Sequence, residues 1–127
     1  TAVHVVTLLE EMPVQETVDA IADLTSLGFG IGKVIVNGAR PRLPAGPAVT
    51  AAELRRGLVA AGLPADRDTV AGLHDEARDQ LIRRELEDSL RADLVELGLP
   101  MIELPLLPDG VDRVGLSTLA QALVSAD

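Results

Sequence analysis

Three short aliphatic runs, at residues 2–9, 33–37 and 101–107, are separated by stretches patterned for helices, and this spacing limits the chain to very few folds. The middle run, Lys-Val-Ile-Val-Asn, places three β-branched residues in succession (Val34, Ile35, Val36) and reads as a short buried strand. Residues 2–9 are apolar at alternate positions on both sides, which suits a central parallel strand covered on both faces. Residues 101–107 supply a third strand, with Pro105 at its end because proline cannot donate to a sheet ladder.

The intervening segments carry helix signals. Pro13 fits a first helical turn, Gln15 and Glu16 suit the positive helix end, and Val14, Val18, Ile21 and Leu24 recur at helical spacing. A helix over 13–27 is predicted, followed by a turn through Gly28, Gly30 and Gly32. Residues 38–49, with three prolines, two glycines and two arginines, read as an exposed loop. Thr50 and Glu53 form a capping box for a helix over 51–61, ended by Gly62 and Pro64. Asp66 or Asp68 caps a longer helix reaching Leu97. Its Asp79/Arg83 and Glu87/Arg91 pairs have the favourable acid-first order, and Leu86, Leu90, Leu94 and Leu97 form an apolar stripe. After Pro108, Asp109 and Gly110, a last helix is predicted over 117–125 with Leu116, Leu119, Ala120 and Leu123 inward. The order β-α-β-α-α-β-α implies an α/β fold, a parallel sheet flanked by helices, with right-handed crossovers.

Composition narrows the function classes. The 127 residues fit one α/β domain or fragment, 1–127. One Phe and no Trp or Tyr leave an aliphatic core and no aromatic platform for stacking bases of single strands. A net charge of -9 argues against broad nucleic-acid binding. Without cysteine there is no disulfide scaffold, thiolate metal site or cysteine nucleophile, and two histidines are too few for a histidine-rich metal centre. His4, inside the first run, reads as a buried, hydrogen-bonded residue rather than a catalyst. No apolar run is long enough to span a membrane and no secretory signal is visible, so a cytoplasmic setting is expected. A chain that begins at Thr1, in mid-sheet, reads as a piece of a longer protein.

In parallel α/β sheets, ligands bind beyond the carboxyl ends of the strands. Glu10, Asn37 and Pro105 all fall there. The Asn37 carboxamide offers a donor and an acceptor, which suits a purine edge, whereas Asn37 followed by Gly38 is also a common turn pair. Glu10 and Glu11 are adjacent in an extended segment and point apart, so they form no carboxylate dyad. No phosphate-loop or dinucleotide fingerprint occurs. The Gly-Phe-Gly-Ile-Gly stretch at 28–32 precedes a strand, not the helix a phosphate loop requires.

Taken together, Thr-Leu-Leu-Glu-Glu-Met-Pro-Val-Gln-Glu-Thr at 7–17, Val-Ile-Val-Asn at 34–37, Leu-Pro-Leu-Leu at 104–107 and Gly-Leu-x-x-Leu-Ala-x-x-Leu at 115–123 resemble the C-terminal part of the ArsA-type ATPases. This family includes arsenite-pump ATPases and those that target tail-anchored proteins to membranes. The resemblance implies the C-terminal portion of a deviant P-loop NTPase fold and adenine-nucleotide binding, ATP or ADP. It implies that Asn37 contacts adenine, that Pro105 and Leu106 pack near the base, and that Glu10 lies near the nucleotide and the dimer edge. The phosphate loop and the Mg²⁺ ligands would come from upstream residues, so this chain alone is expected not to hydrolyse ATP. The implied partners are a homodimeric or paralogous heterodimeric copy and a protein or anion cargo. Two other readings stand beside it: a non-catalytic α/β interaction module without nucleotide, and an unrelated small-ligand-binding α/β domain.

Overall fold

A computed structural model of the chain describes residues 2–42, 48–108 and 110–124. Its elements are β1 (Ala2–Thr7), α1 (Glu11–Ser26), β2 (Gly30–Ala39), α2 (Ala51–Ala60), α3 (Arg67–Glu96), β3 (Met101–Pro105) and α4 (Arg113–Val124). The strands form one parallel sheet in the order β1-β2-β3. The expected α/β architecture is therefore the one observed. The chain divides into two compact units: the sheet unit, Thr1–Arg42 with Glu87–Asp127, and an inserted helical unit, Leu43–Leu86.

In the sheet unit, register aligns Val5, Val34 and Met101 on one face, and Thr7, Val36 and Glu103 one step along it. Val14 and Ile21 of α1 and Leu90 and Leu94 of α3 pack with Val34, Val36 and Ala39 into a single aliphatic core. On the alternate face Val6, Ile35 and Ile102 are aligned, and α4 packs against β3. Ile102 is buried, but Val6 is 61% exposed. β1 is thus not covered on both sides: an apolar run cannot signal whether a neighbour covers it, and β1 is an edge strand of this sheet.

Several boundaries move. β2 starts at Gly30 and runs to Ala39, absorbing half of the predicted glycine turn and the start of the predicted 38–49 loop, whose residues 43–47 lie outside the described residues. β1 stops at Thr7 and β3 at Pro105, the latter as expected of a proline. His4 is hydrogen-bonded but exposed. Its Nδ1 accepts the Lys33 backbone N–H at 3.1 Å, where the β1/β2 register slips between Val3 and Val5. A Cβ at Gly32 would lie 2.6 Å from the His4 ring, so glycine is what admits the ring.

The helix ends follow local chemistry. Gly28, Gly62 and Gly98 close α1, α2 and α3 in left-handed conformation. Thr50 and Glu53 make the predicted reciprocal box, and Asp66, not Asp68, accepts the Thr69 N–H at 2.9 Å ahead of α3. Asp112 does the same for Gly115 at 2.7 Å, starting α4 earlier than residue 117; residue 125 lies outside the described residues, as does Asp109. The predicted inward set on α4 is out of phase. Leu116, Ala120 and Leu123 are exposed, Leu119 is half-buried, and the buried residue is Gly115, whose Cβ would meet Leu107 Cδ1 at 2.7 Å. Along α3, Leu90 and Leu94 are buried as expected while Leu86 is exposed. Among the described residues no helix is long and apolar enough to cross a membrane.

Candidate functional site: the carboxyl edge of the sheet

Parallel strands put their carboxyl ends on one side, so Glu10, Asn37 and Pro105 share an edge of the sheet. Within it, Asn37 is not at the end of its strand, as expected, but two residues before the end of a longer one. Val36 pairs with Glu103 and Ala39 with Pro105, so β2 spends three steps where β3 spends two. Asn37 and Gly38 absorb the difference as a bulge, and Gly38 does so at φ +69°, a conformation favouring glycine. Neither a plain turn nor a strand terminus describes this pair. Bulges re-aim side chains, and the Asn37 side chain is exposed with no hydrogen bond among the described residues.

β3 brings the apolar partners. Pro105 ends the ladder opposite Ala39, and the Leu106 N–H donates to the Ala39 carbonyl at 2.8 Å, holding the two strands together past the bulge. A side chain at position 38 would meet Leu106 Cδ1 at 4.0 Å, so Leu106 lies beside the glycine. Pro105 is half-buried and Leu106 is 47% exposed. Pro105 and Leu106 thus lie beside the Gly38–Ala39 end of β2, next along the strand from Asn37. Glu10 stands apart as the cap residue of α1. Its carbonyl accepts from Val14 N–H at 3.0 Å, while its exposed carboxylate makes no cap bond to the helix. No hydrogen bond or ion pair joins it to the other three.

The residues the sequence did not mark are charged. Arg91 of α3 is only 5% exposed. It donates to Glu103 through Nε at 2.8 Å and Nη2 at 3.3 Å, and to Asp88 through Nη1 at 3.1 Å. Glu87 lies 4.0 Å from Arg91 and 3.6 Å from Arg40, and Arg42 lies 3.6 Å from Glu103. Burial opposes the charge on Arg91, but its hydrogen bonds to Glu103 and the negative charges of Glu103, Glu87 and Asp88 outweigh that and raise its pKa above the usual value. The expected Glu87/Arg91 helix pair is thus one strand of a larger cluster. The signal available in the sequence was the pair of arginines just after Asn37, which read as loop charges. No group of metal-ligating side chains is found among the described residues.

No protein-family model matches the chain. It is 37% identical over 131 aligned residues to ATPase BagA of Mycobacterium tuberculosis and, to the same extent, to the protein named "Putative ATPase Mb3704" of Mycobacterium bovis. Each match takes in 97% of this chain but only 38% of the relative. The chain is thus related along almost its whole length to part of proteins named as ATPases.

Proposed function

We propose that the carboxyl edge of the sheet receives the base of an adenine nucleotide, and that the chain serves as the C-terminal, base-recognising segment of an ATPase of the ArsA type. The observation that carries this reading is the Asn37 carboxamide, exposed at a strand bulge and left without a hydrogen-bond partner among the described residues, with Pro105 and Leu106 next along the same edge. Such an amide can accept from the exocyclic amine of adenine and donate to a ring nitrogen, while guanine presents the opposite pattern. Pro105 and Leu106 offer the ring an apolar flank, and Glu10, at the same edge, faces the nucleotide or a second subunit. The relatives named as ATPases, of which this chain spans 38%, support a nucleotide role. In this reading ATP hydrolysis, Mg²⁺ and the phosphate cradle belong to other parts of a longer polypeptide. That polypeptide works in the cytoplasm as a homodimer or paralogous heterodimer and handles a protein or anion cargo.

ADP titrated into the 127-residue chain is expected to shift the backbone amide resonances of Asn37, Gly38 and Leu106, with GDP weaker. Asn37→Ala leaves base polar groups unpaired, at roughly 1–3 kcal/mol. Affinity should then fall about tenfold to a hundredfold with the circular dichroism unchanged. Equal shifts with ADP and GDP, or an Asn37→Ala chain that binds as the original does, would overturn the base site. One observation favours a second reading, an interaction module without nucleotide: α2 has no buried residue, and Val59 in its last turn and Leu63 just after it are exposed.

A further inference from the structure

We infer that the ion cluster around Arg91 is a positioning device: it fixes the bulge that carries Asn37 and fastens both chain junctions of the inserted helical unit to the sheet. The inference rests on the base-site reading for its functional meaning, but its structural content stands on the cluster alone.

Arg91 is the one buried charged residue among the described residues, and a buried guanidinium persists only when its charge is met. Here it is met by a two-pronged bond to Glu103, the planar fork that only arginine provides. Glu103 is the β3 partner of Val36, the last residue in register before the bulge. The same Glu103 holds Arg42, and Glu87 holds Arg40, both on the segment that leaves the bulge. Asn37 and Gly38 are therefore braced on the upstream side by the strand partner of Val36 and on the downstream side by two arginines tied to the same acidic pair. Because Gly38 confers freedom rather than rigidity, the bulge needs such bracing to hold one direction for the Asn37 side chain.

The chain topology gives the cluster a second consequence. The inserted unit begins after Arg42 and ends at Leu86, so Arg42 and Glu87 are the two sheet-unit residues at its junctions. Both belong to the cluster. Arg40, Arg42, Glu87, Arg91 and Glu103 are positioning residues in this account, and none touches the ligand.

Amide hydrogen exchange read by NMR on the 127-residue chain tests this directly. The reporter is the Leu106 amide, which bridges β3 to Ala39 just past the bulge; the control is the Val34 amide, bonded to the Pro100 carbonyl at 2.9 Å before it. With Arg40→Gln and Arg42→Gln together, the Leu106 amide should exchange roughly fivefold to tenfold faster while Val34 keeps its rate. Arg91→Lys, which keeps the charge and loses the fork, should do the same or more. ADP affinity should fall in step with Leu106 protection. If Leu106 and Val34 change together, or neither changes in either variant, the cluster is general stabilisation and the inference is overturned. Should the unaltered chain fail to bind ADP, the base site fails by itself, and the exchange contrast between Leu106 and Val34 still decides the clasp.

Discussion

In the sheet unit Val34, Val36 and Leu94 are all but removed from water, at 1%, 0% and 1% exposure. In the inserted unit α2 buries no residue, and Val70 is the one buried apolar side chain among the described residues of Leu43–Leu86. Apolar residues are not scarce there: Val59, Leu63, Leu73, Leu81, Ile82 and Leu86 are all exposed. What the inserted unit has instead is local chemistry, namely the box of Thr50 with Glu53 and the cap of Asp66 on Thr69. One half of the molecule is held by contacts between residues far apart in sequence, and the other by bonds spanning three residues. α3 passes from one regime to the other within a single helix, from Val70 and a mostly solvated face to Leu90 and Leu94 in the core.

The contrast breaks most visibly at Leu94. Truncating it to alanine should remove about 2–5 kcal/mol of unfolding free energy, the usual loss for a large aliphatic side chain in a close-packed site. The same truncation at Ile82, on the same helix, should stay within about 0.5 kcal/mol. Urea unfolding of both variants decides this, and equal losses would mean that the inserted unit has a core of its own. Next in size, Thr50→Ala should cost helix α2 about 0.5–2 kcal/mol through its lost cap. Its effect should appear as faster exchange of the α2 amides, with the β2 amides unmoved. If β2 amides respond as strongly, the two regions unfold as one.

The smallest effect is in acid. Hydrogen bonds from the Thr50 hydroxyl and backbone hold the Glu53 carboxyl below its usual range, and the Thr69 backbone and hydroxyl do so for Asp66. A depressed folded-state value contributes stability that is present above the unfolded value and is lost as pH falls through the folded one. The caps should therefore hold through neutral pH and fail only below the ordinary carboxylate range near ~4. The amide resonances of Thr50 and Thr69, which donate to these carboxylates, report it. Midpoints at or above the ordinary range would show that the caps do not form in solution.

How legible each region was follows from the same division. Caps and glycine stops are written in three to five consecutive residues, so Thr50, Glu53, Gly28, Gly62 and Gly98 could be read directly. Val34, Ile35 and Val36 announced the central strand because three β-branched residues in succession favour a strand whichever face is covered. The errors lie where the answer depends on a neighbour. Whether Val6 is covered depends on what flanks β1, and the facing side of α4 could not be fixed because Val114, Leu116, Leu119, Leu123 and Val124 surround the helix. The residue that makes its close approach is a glycine, which no hydrophobic pattern marks. At the site, the residue types at 10, 37, 105 and 106 were readable, but the bulge that turns Asn37 outward was not. It is a mismatch between two strands more than sixty residues apart, and Arg91 entered the picture only through the same pairing.

That mismatch has a bearing on how this sequence can change over evolutionary time. In β2 the core-facing positions before the bulge are even-numbered, Val34 and Val36, and after it the core-facing position is odd, Ala39. The strand carries a phase slip of one residue. A substitution at 37 or 38 leaves the count intact, whereas deleting either would remove the extra residue and restore simple alternation, with Ala39 still on the core face and the bulge that carries Asn37 gone. The length of this segment therefore decides whether the bulge exists, and the burial of Ala39 does not depend on it.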